Sequence, residues 1–125
     1  MEDVLGPGNL VEVLRSLNAT GDFLVTVLTD SDGLVMASAP SAGWDADKQA
    51  AVVALIQRAA RQTQVVSLGS TDEICIRDVN GRRLICRPFE VDGQVLLLSV
   101  LAEEGKPYRR LTNAAVRGVR KVWAI

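Results

Sequence analysis

Three short turns constrain this chain more than anything else in it, because each fixes where the backbone must reverse. Asp30-Ser31-Asp32-Gly33 separates Phe23–Thr29 from Leu34–Ser38. Asn80-Gly81 separates Ile74–Val79 from Arg82–Phe89, and Asp92-Gly93 separates that run from Gln94–Leu101. Asn-Gly and Asp-Gly tolerate the positive φ that a two-residue hairpin turn demands. One helical stretch lies between the first hairpin and the last three strands, and a helix flanks each end. The predicted order is therefore helix, hairpin, helix, three-strand meander, helix.

The helices follow from capping and periodicity. Asn9 with Glu12 makes a capping box behind the breakers Pro7 and Gly8, and Leu10, Val13, Leu14 and Leu17 then recur on one face until Asn18–Gly21. A second helix runs from Asp45 or Asp47 to about Val66. Its Val52, Leu55, Ile56, Ala59 and Ala60 form a broad apolar stripe. Ala50, Ala54, Gln57 and Arg61 follow one another along another line. That line either admits a second helix at close range or is a wet row of good helix formers. Trp44, just before the cap, reads as a packing staple. Pro107 opens the last helix, with Tyr108, Leu111, Ala115, Val119 and Val122 as its buried stripe. Arg109, Arg110, Arg117, Arg120 and Lys121 lie off it, as a solvated face or a seat for an acidic partner.

Phe23–Leu28 and Val95–Leu101 are the most apolar runs, so they belong side by side in the middle of a sheet. Leu34–Ser38 ends in Ala-Pro and suits an edge. The fold expected is an α/β (α+β) arrangement: a five-stranded antiparallel sheet of order 2-1-5-4-3 with helices on both faces. A two-residue turn at Asn80-Gly81 would set Cys75 opposite Cys86 and Asp78 across from Arg83. Such a cysteine pair has α-carbons about 5.5 Å apart, within disulfide range. The acidic start Met1-Glu2-Asp3 is unlike a signal peptide, so reduced, buried thiols in a cytoplasmic protein are the expectation.

Composition narrows function. With 48% hydrophobic residues in 125, the chain suits one domain over residues 1–125. A net charge of −1 gives no electrostatic reason to expect nucleic acid or an anionic membrane, and no apolar run is long enough to span a bilayer. There is no histidine, which removes Ser-His and Cys-His pairs, histidine zinc sites and the commonest general base. Gly6-Pro7-Gly8 is too short for a dinucleotide fingerprint, and no Gly-Lys-Ser/Thr phosphate loop occurs. Asp30-Ser31-Asp32-Gly33 lacks the outer ligands of a calcium loop, with Ala39 where a glutamate would stand. Glu103-Glu104 is an adjacent pair in a linker. No enzyme activity and no cofactor are expected.

Phe23–Ser38 with its Asp-Gly turn, the alanine-rich helix 47–66, Gly81-Arg-Arg-Leu-Ile-Cys leading to Gly93-Gln-Val-Leu-Leu-Leu-Ser-Val-Leu, and a closing helix with Leu111, Val119 and Trp123 together resemble the Roadblock/dynein-light-chain superfamily, of bacterial GTPase-regulator type. The resemblance covers about residues 9–123. It implies a homodimer or heterodimer whose central helices pack antiparallel and whose third strands pair. It further implies a regulatory scaffold for a Ras-like small GTPase that supplies no arginine finger. The chain departs from the family in its basic last helix and in having no long tail after it.

The dimer interface is accordingly expected at Ala50, Ala54, Gln57, Arg61, Ile74, Ile76 and Asp78. Lys48, Gln49, Arg58 and Gln62 are the candidates for contacting a GTPase. The alternatives are a structural dimer subunit of a larger assembly and a small-molecule sensor domain. A sensor would need convergent polar groups in a pocket. The strands offer Thr26, Ser99 and the cysteines.

Overall fold

Among the described residues, a sheet with a helix pair on one side and one helix on the other encloses the apolar core. The computed structural model describes residues 7–123, so the acidic Met1–Asp3 start and Gly6 lie outside the described residues. The elements are α1 (Pro7–Gly21), β1 (Val25–Asp30), β2 (Val35–Pro40), α2 (Ala46–Ala60), β3 (Ile74–Arg77), β4 (Arg83–Val91), β5 (Gln94–Ala102) and α3 (Arg109–Trp123). A 3₁₀ segment, Arg61–Val66, continues α2 and closes on Ser67 at φ 73°. The strands pair antiparallel throughout in the expected order, β2-β1-β5-β4-β3.

The strand ends shift from the expectation by up to two residues, and each helix differs at one boundary. α1 already includes Pro7, so Asn9 sits inside its first turns. The regular α-helix of α2 stops at Ala60 rather than near Val66. α3 begins at Arg109, two residues after Pro107. Asp45 is the N-cap of α2: its carboxylate accepts from the backbone N–H groups of Asp47 and Lys48 at 3.0 and 3.2 Å.

Alternation along the central strands divides the core in two. Leu28, Ile85, Leu96, Leu98 and Val100 face α1 and α3, meeting Leu10, Leu14, Leu17, Val116 and Val119. On the other face Val25 and Val27 meet Ala50, with Trp44 and Leu101 at the margin, and Val53 meets Cys86 and Leu97. Trp44 packs there as expected, and the Arg82 guanidinium lies 5.1 Å from its ring centre. The polar residues of the central strands are tied down. Thr26 donates to Asn18 Oδ1 at 2.8 Å, and Gln49 donates to Ser99 Oγ at 3.0 Å.

The β3–β4 hairpin corrects the expected register by one residue. Ile74 lies opposite Cys86 and Cys75 opposite Ile85, so the two thiols point to opposite faces. Both are free, Cys86 buried and Cys75 exposed, where two buried thiols were expected. The cause is the Asp78 side chain. Its Oδ1 accepts from the N–H groups of Asn80 and Arg82, both at 2.9 Å, and the Asp78 N–H donates to the Arg82 carbonyl. A three-residue loop ending on Gly81 at φ 90° results, in place of a two-residue turn. Asp78 thus caps its own loop instead of facing Arg83. Asp30 does the same for Asp32 and Leu34, with Gly33 at φ 91°. A β-carbon on Gly33 would stand 3.2 Å from that of Ala54, so α2 presses directly on this first hairpin.

Candidate interaction surface

α2 shows the clearest exchange between expectation and structure. Ala50, Ala54 and Gln57, expected to look outward as a docking line, are buried under the helix against the sheet. Val52 and Leu55, expected to be core, remain 46% and 60% exposed. At about 100° per residue, Val52, Leu55 and Ala59 stand opposite Ala50, Ala54 and Gln57. The reason is the close approach at Gly33: a helix pressed that near the hairpin admits alanine beneath it, and the larger side chains turn outward. Arg61 is exposed beyond the last α-helical turn.

The sheet beneath α2 is covered unevenly. α2 lies over β1, β2 and β5. Towards β4 and β3 it sends Val53, whose cluster has Ile74, Leu84 and Val95 at its margin, all half-buried. Ile76, on the same face as Ile74, is 50% exposed. A strip of sheet beside α2, with Ile56 along the helix flank, is therefore apolar and has no helix over it among the described residues. β3 itself is an edge, paired only with β4 in the described sheet. Val65, Val66 and Leu68 extend exposed apolar surface past the end of α2.

Charged contacts fix the approach to β3. Arg109 donates to Asp72 Oδ2 at 2.7 Å and to Glu73 Oε1 at 2.6 Å, and the Tyr108 hydroxyl donates to Glu73 Oε2. Arg87, almost wholly buried under α3, donates to Thr112 Oγ1 at 2.7 Å and Asn113 Oδ1 at 2.8 Å and lies 3.7 Å from Asp72 Oδ1. The Arg109 hydrogen bond holds the Asp72 carboxyl below its ordinary range. The hydrogen bond to Glu73, helped by burial, pushes the Tyr108 phenol up to about 12. Burial does the same to the Cys86 thiol, also to about 12, so it is no nucleophile at neutral pH. Among the described residues no group of three or more Cys, Asp and Glu side chains is placed to hold a metal ion.

Of the expected partner contacts, Lys48, Arg58 and Gln62 are exposed on or just beyond α2. Gln49 is not available in the same way, since its amide is committed to Ser99. Ile74, Ile76 and Asp78 do lie on or beside the β3 edge, as expected. Sequence reasoning passed over Val52 and Leu55 as surface residues. The signal that finds them is the size difference between the two faces of α2, with alanine on one and branched residues on the other.

No family model and no curated protein matches the sequence. Solved structures do match. MglB of Myxococcus xanthus has a TM-score of 0.81 at 16% identity, over 99% of this chain and 93% of that one. The gliding protein MglB from Thermus thermophilus has a TM-score of 0.78 at 18% identity, over 95% and 92%. A Roadblock/LC7 domain from Streptomyces avermitilis has a TM-score of 0.70 at 19% identity, over 90% and 92%. At these identities the likeness is one of fold, and the fold of this chain is that of the Roadblock/LC7 and MglB structures.

Proposed function

We propose that this chain, built on the Roadblock/LC7 fold, is a non-enzymatic dimeric scaffold that binds and regulates a Ras-like small GTPase. The observation that carries the reading is the apolar strip of sheet left beside α2, next to an edge strand. A second α2, related by a two-fold axis, fits that strip, and antiparallel pairing of two β3 edges would satisfy their open backbone groups. Val52, Leu55, Ile56 and Ile76 then form the seam. Ile74 and Asp78 lie along the paired edge, with Arg61 at the end of the helix. Ala50, Ala54 and Gln57 act from beneath, by setting how α2 sits on the sheet.

The GTPase part of the reading rests on the family resemblance in the sequence and on the MglB-like fold. Lys48, Arg58 and Gln62 rim the paired helices, where charge-assisted hydrogen bonds could meet acidic groups of a partner. With no histidine and no phosphate loop, nucleotide chemistry would belong to that partner. The test incubates the purified protein with each GTP-loaded Ras-like GTPase of the same genome. At least one should hydrolyse or exchange nucleotide at an altered rate, while the protein alone binds no GTP. Tight GTP binding by the isolated protein refutes the scaffold. Indifference of every GTPase transfers the dimer to a structural role in a larger assembly.

A further inference from the structure

α3 concentrates positive charge on a chain whose net charge is −1. It carries Arg109, Arg110, Arg117, Arg120 and Lys121, and no aspartate or glutamate. Two of these cations are engaged within the protein. Arg109 pairs with Asp72 and Glu73, while Arg120 donates to the Glu90 carbonyl and lies over the Phe89 ring. Arg110, Arg117 and Lys121 are exposed and form no ion pair or hydrogen bond among the described residues. With the exposed Ala114 they follow steps of four, three and four, which is one line along the helix.

A groove of about 490 Å³ runs beside that line, between α3 and α1. The two helices press together at Gly118, where a β-carbon would stand 3.3 Å from Val13 Cγ1. From there towards the start of α3 the groove is lined in hydrocarbon by Leu17 and Ala115, both buried, and by half-buried Leu111. Its exposed rim is small, with Ser16 on α1 and Ala114 on α3. Ala114 belongs to both the groove and the cation line, so the charges border the hydrocarbon directly. Glu12, the carboxylate at the groove's edge, is taken by Arg15 at 2.8 Å.

We propose that this face docks an acidic amphipathic helix of a protein partner, its apolar stripe in the groove and its carboxylates on Arg110, Arg117 and Lys121. An apolar groove is the usual seat for such a helix, and guanidinium groups at its border select carboxylates. The line from Arg110 to Lys121 is about 16 Å long, which a partner helix of about three turns matches. A membrane is the poorer occupant. Helices that lie in a bilayer interface present bulky apolar side chains to it, and none of the large exposed hydrophobic residues lies on α1 or α3. Nucleic acid would use the cations and leave the groove empty. The face lies across the sheet from α2, so the docking does not depend on the proposed dimer.

The probe is a fluorescein-labelled helical peptide about 15 residues long, with leucine on one stripe, glutamate beside it and alanine elsewhere. Its counterpart carries lysine at each glutamate. Fluorescence polarisation with the purified full chain should show binding of the glutamate peptide and none of the lysine peptide. Arg117→Glu should weaken binding about fivefold or more and leave urea unfolding unchanged, since Arg117 is exposed. Ser16→Trp fills the groove, keeps every cation in place and should weaken binding as well. Absence of binding to the glutamate peptide overturns the proposal. So does equal binding of the two peptides, because hydrocarbon alone would then hold the helix, and so does an Arg117→Glu protein with full affinity. Capture of the protein by phosphatidylserine vesicles or by duplex DNA, in preference to the glutamate peptide, assigns the cations to a membrane or to nucleic acid and overturns it equally.

Discussion

Replacing Leu55 by arginine separates the two faces of α2 experimentally. Fully burying a leucine is worth about 2 kcal/mol, so the 60% of Leu55 that stays exposed in the protomer stands for about 1.2 kcal/mol. Leu55 enters a symmetric seam twice, which makes about 2.4 kcal/mol per dimer. That corresponds to a dissociation constant raised about 50-fold, before the cost of bringing two guanidinium groups together. Sedimentation equilibrium of Leu55→Arg against wild type measures this directly, and urea unfolding should show an unchanged protomer. Ala54→Arg is the contrasting variant. Ala54 is buried and a β-carbon on Gly33 would stand only 3.2 Å away, so an arginine there has no room and should unfold the protein instead of dissociating it. A folded, monomeric Ala54→Arg beside an intact Leu55→Arg dimer would refute the assignment of faces. A wild type that is monomeric at tens of micromolar would refute the dimer.

Thiol counting on native protein should find one fast sulfhydryl, Cys75, and denaturation should release a second, Cys86. The single tyrosine of the chain makes the Tyr108–Glu73 bond visible to ultraviolet titration. The folded phenol should ionise near pH 12, and Glu73→Gln should bring it down. Because its folded pKa is raised, the stability linked to Tyr108 is complete below about pH 10 and is lost as the pH climbs through the folded value. Asp72 has the opposite sign, its folded pKa being lowered by Arg109, so its contribution is complete above about pH 4 and fades below that. A flat melting temperature across both windows would contradict the network. Gly33→Ala should cost about 1–2 kcal/mol in urea unfolding, because φ 91° is strained for any residue with a β-carbon and Ala54 crowds the site. A neutral effect would mean that the loop has another conformation open to it.

Turns and apolar runs carried most of the architecture. β1 and β5 could be placed together because Val25–Leu28 and Leu96–Val100 leave no polar face for water. The β3–β4 register was misread because Asn80-Gly81 favours a two-residue turn locally. The capping carboxylate of Asp78 outweighs that preference, and the matching Asp30 and Gly33 were the available clue. The faces of α2 were misread for a different reason. Hydrophobicity ranks Leu55 above Ala50, but how close a helix sits to its sheet is a tertiary property, fixed here by Gly33. A groove at the end of α2 was not legible at all, since it joins Arg61, Thr71 and Glu90, which only the folded chain brings together.

The sheet order also governs how the chain comes into being. β1 has its central partner in β5, and Thr29 pairs with Leu97 far along the chain. At about 5–20 residues per second, a ribosome finishes β5 several seconds after β1 has emerged. Through that interval the first hairpin holds an apolar strand with one neighbour and an open edge, the kind of surface that nascent-chain chaperones cover. Local hairpins and helices can form early, but the central pairing must await the synthesis of β5, which places this fold among the slower small ones.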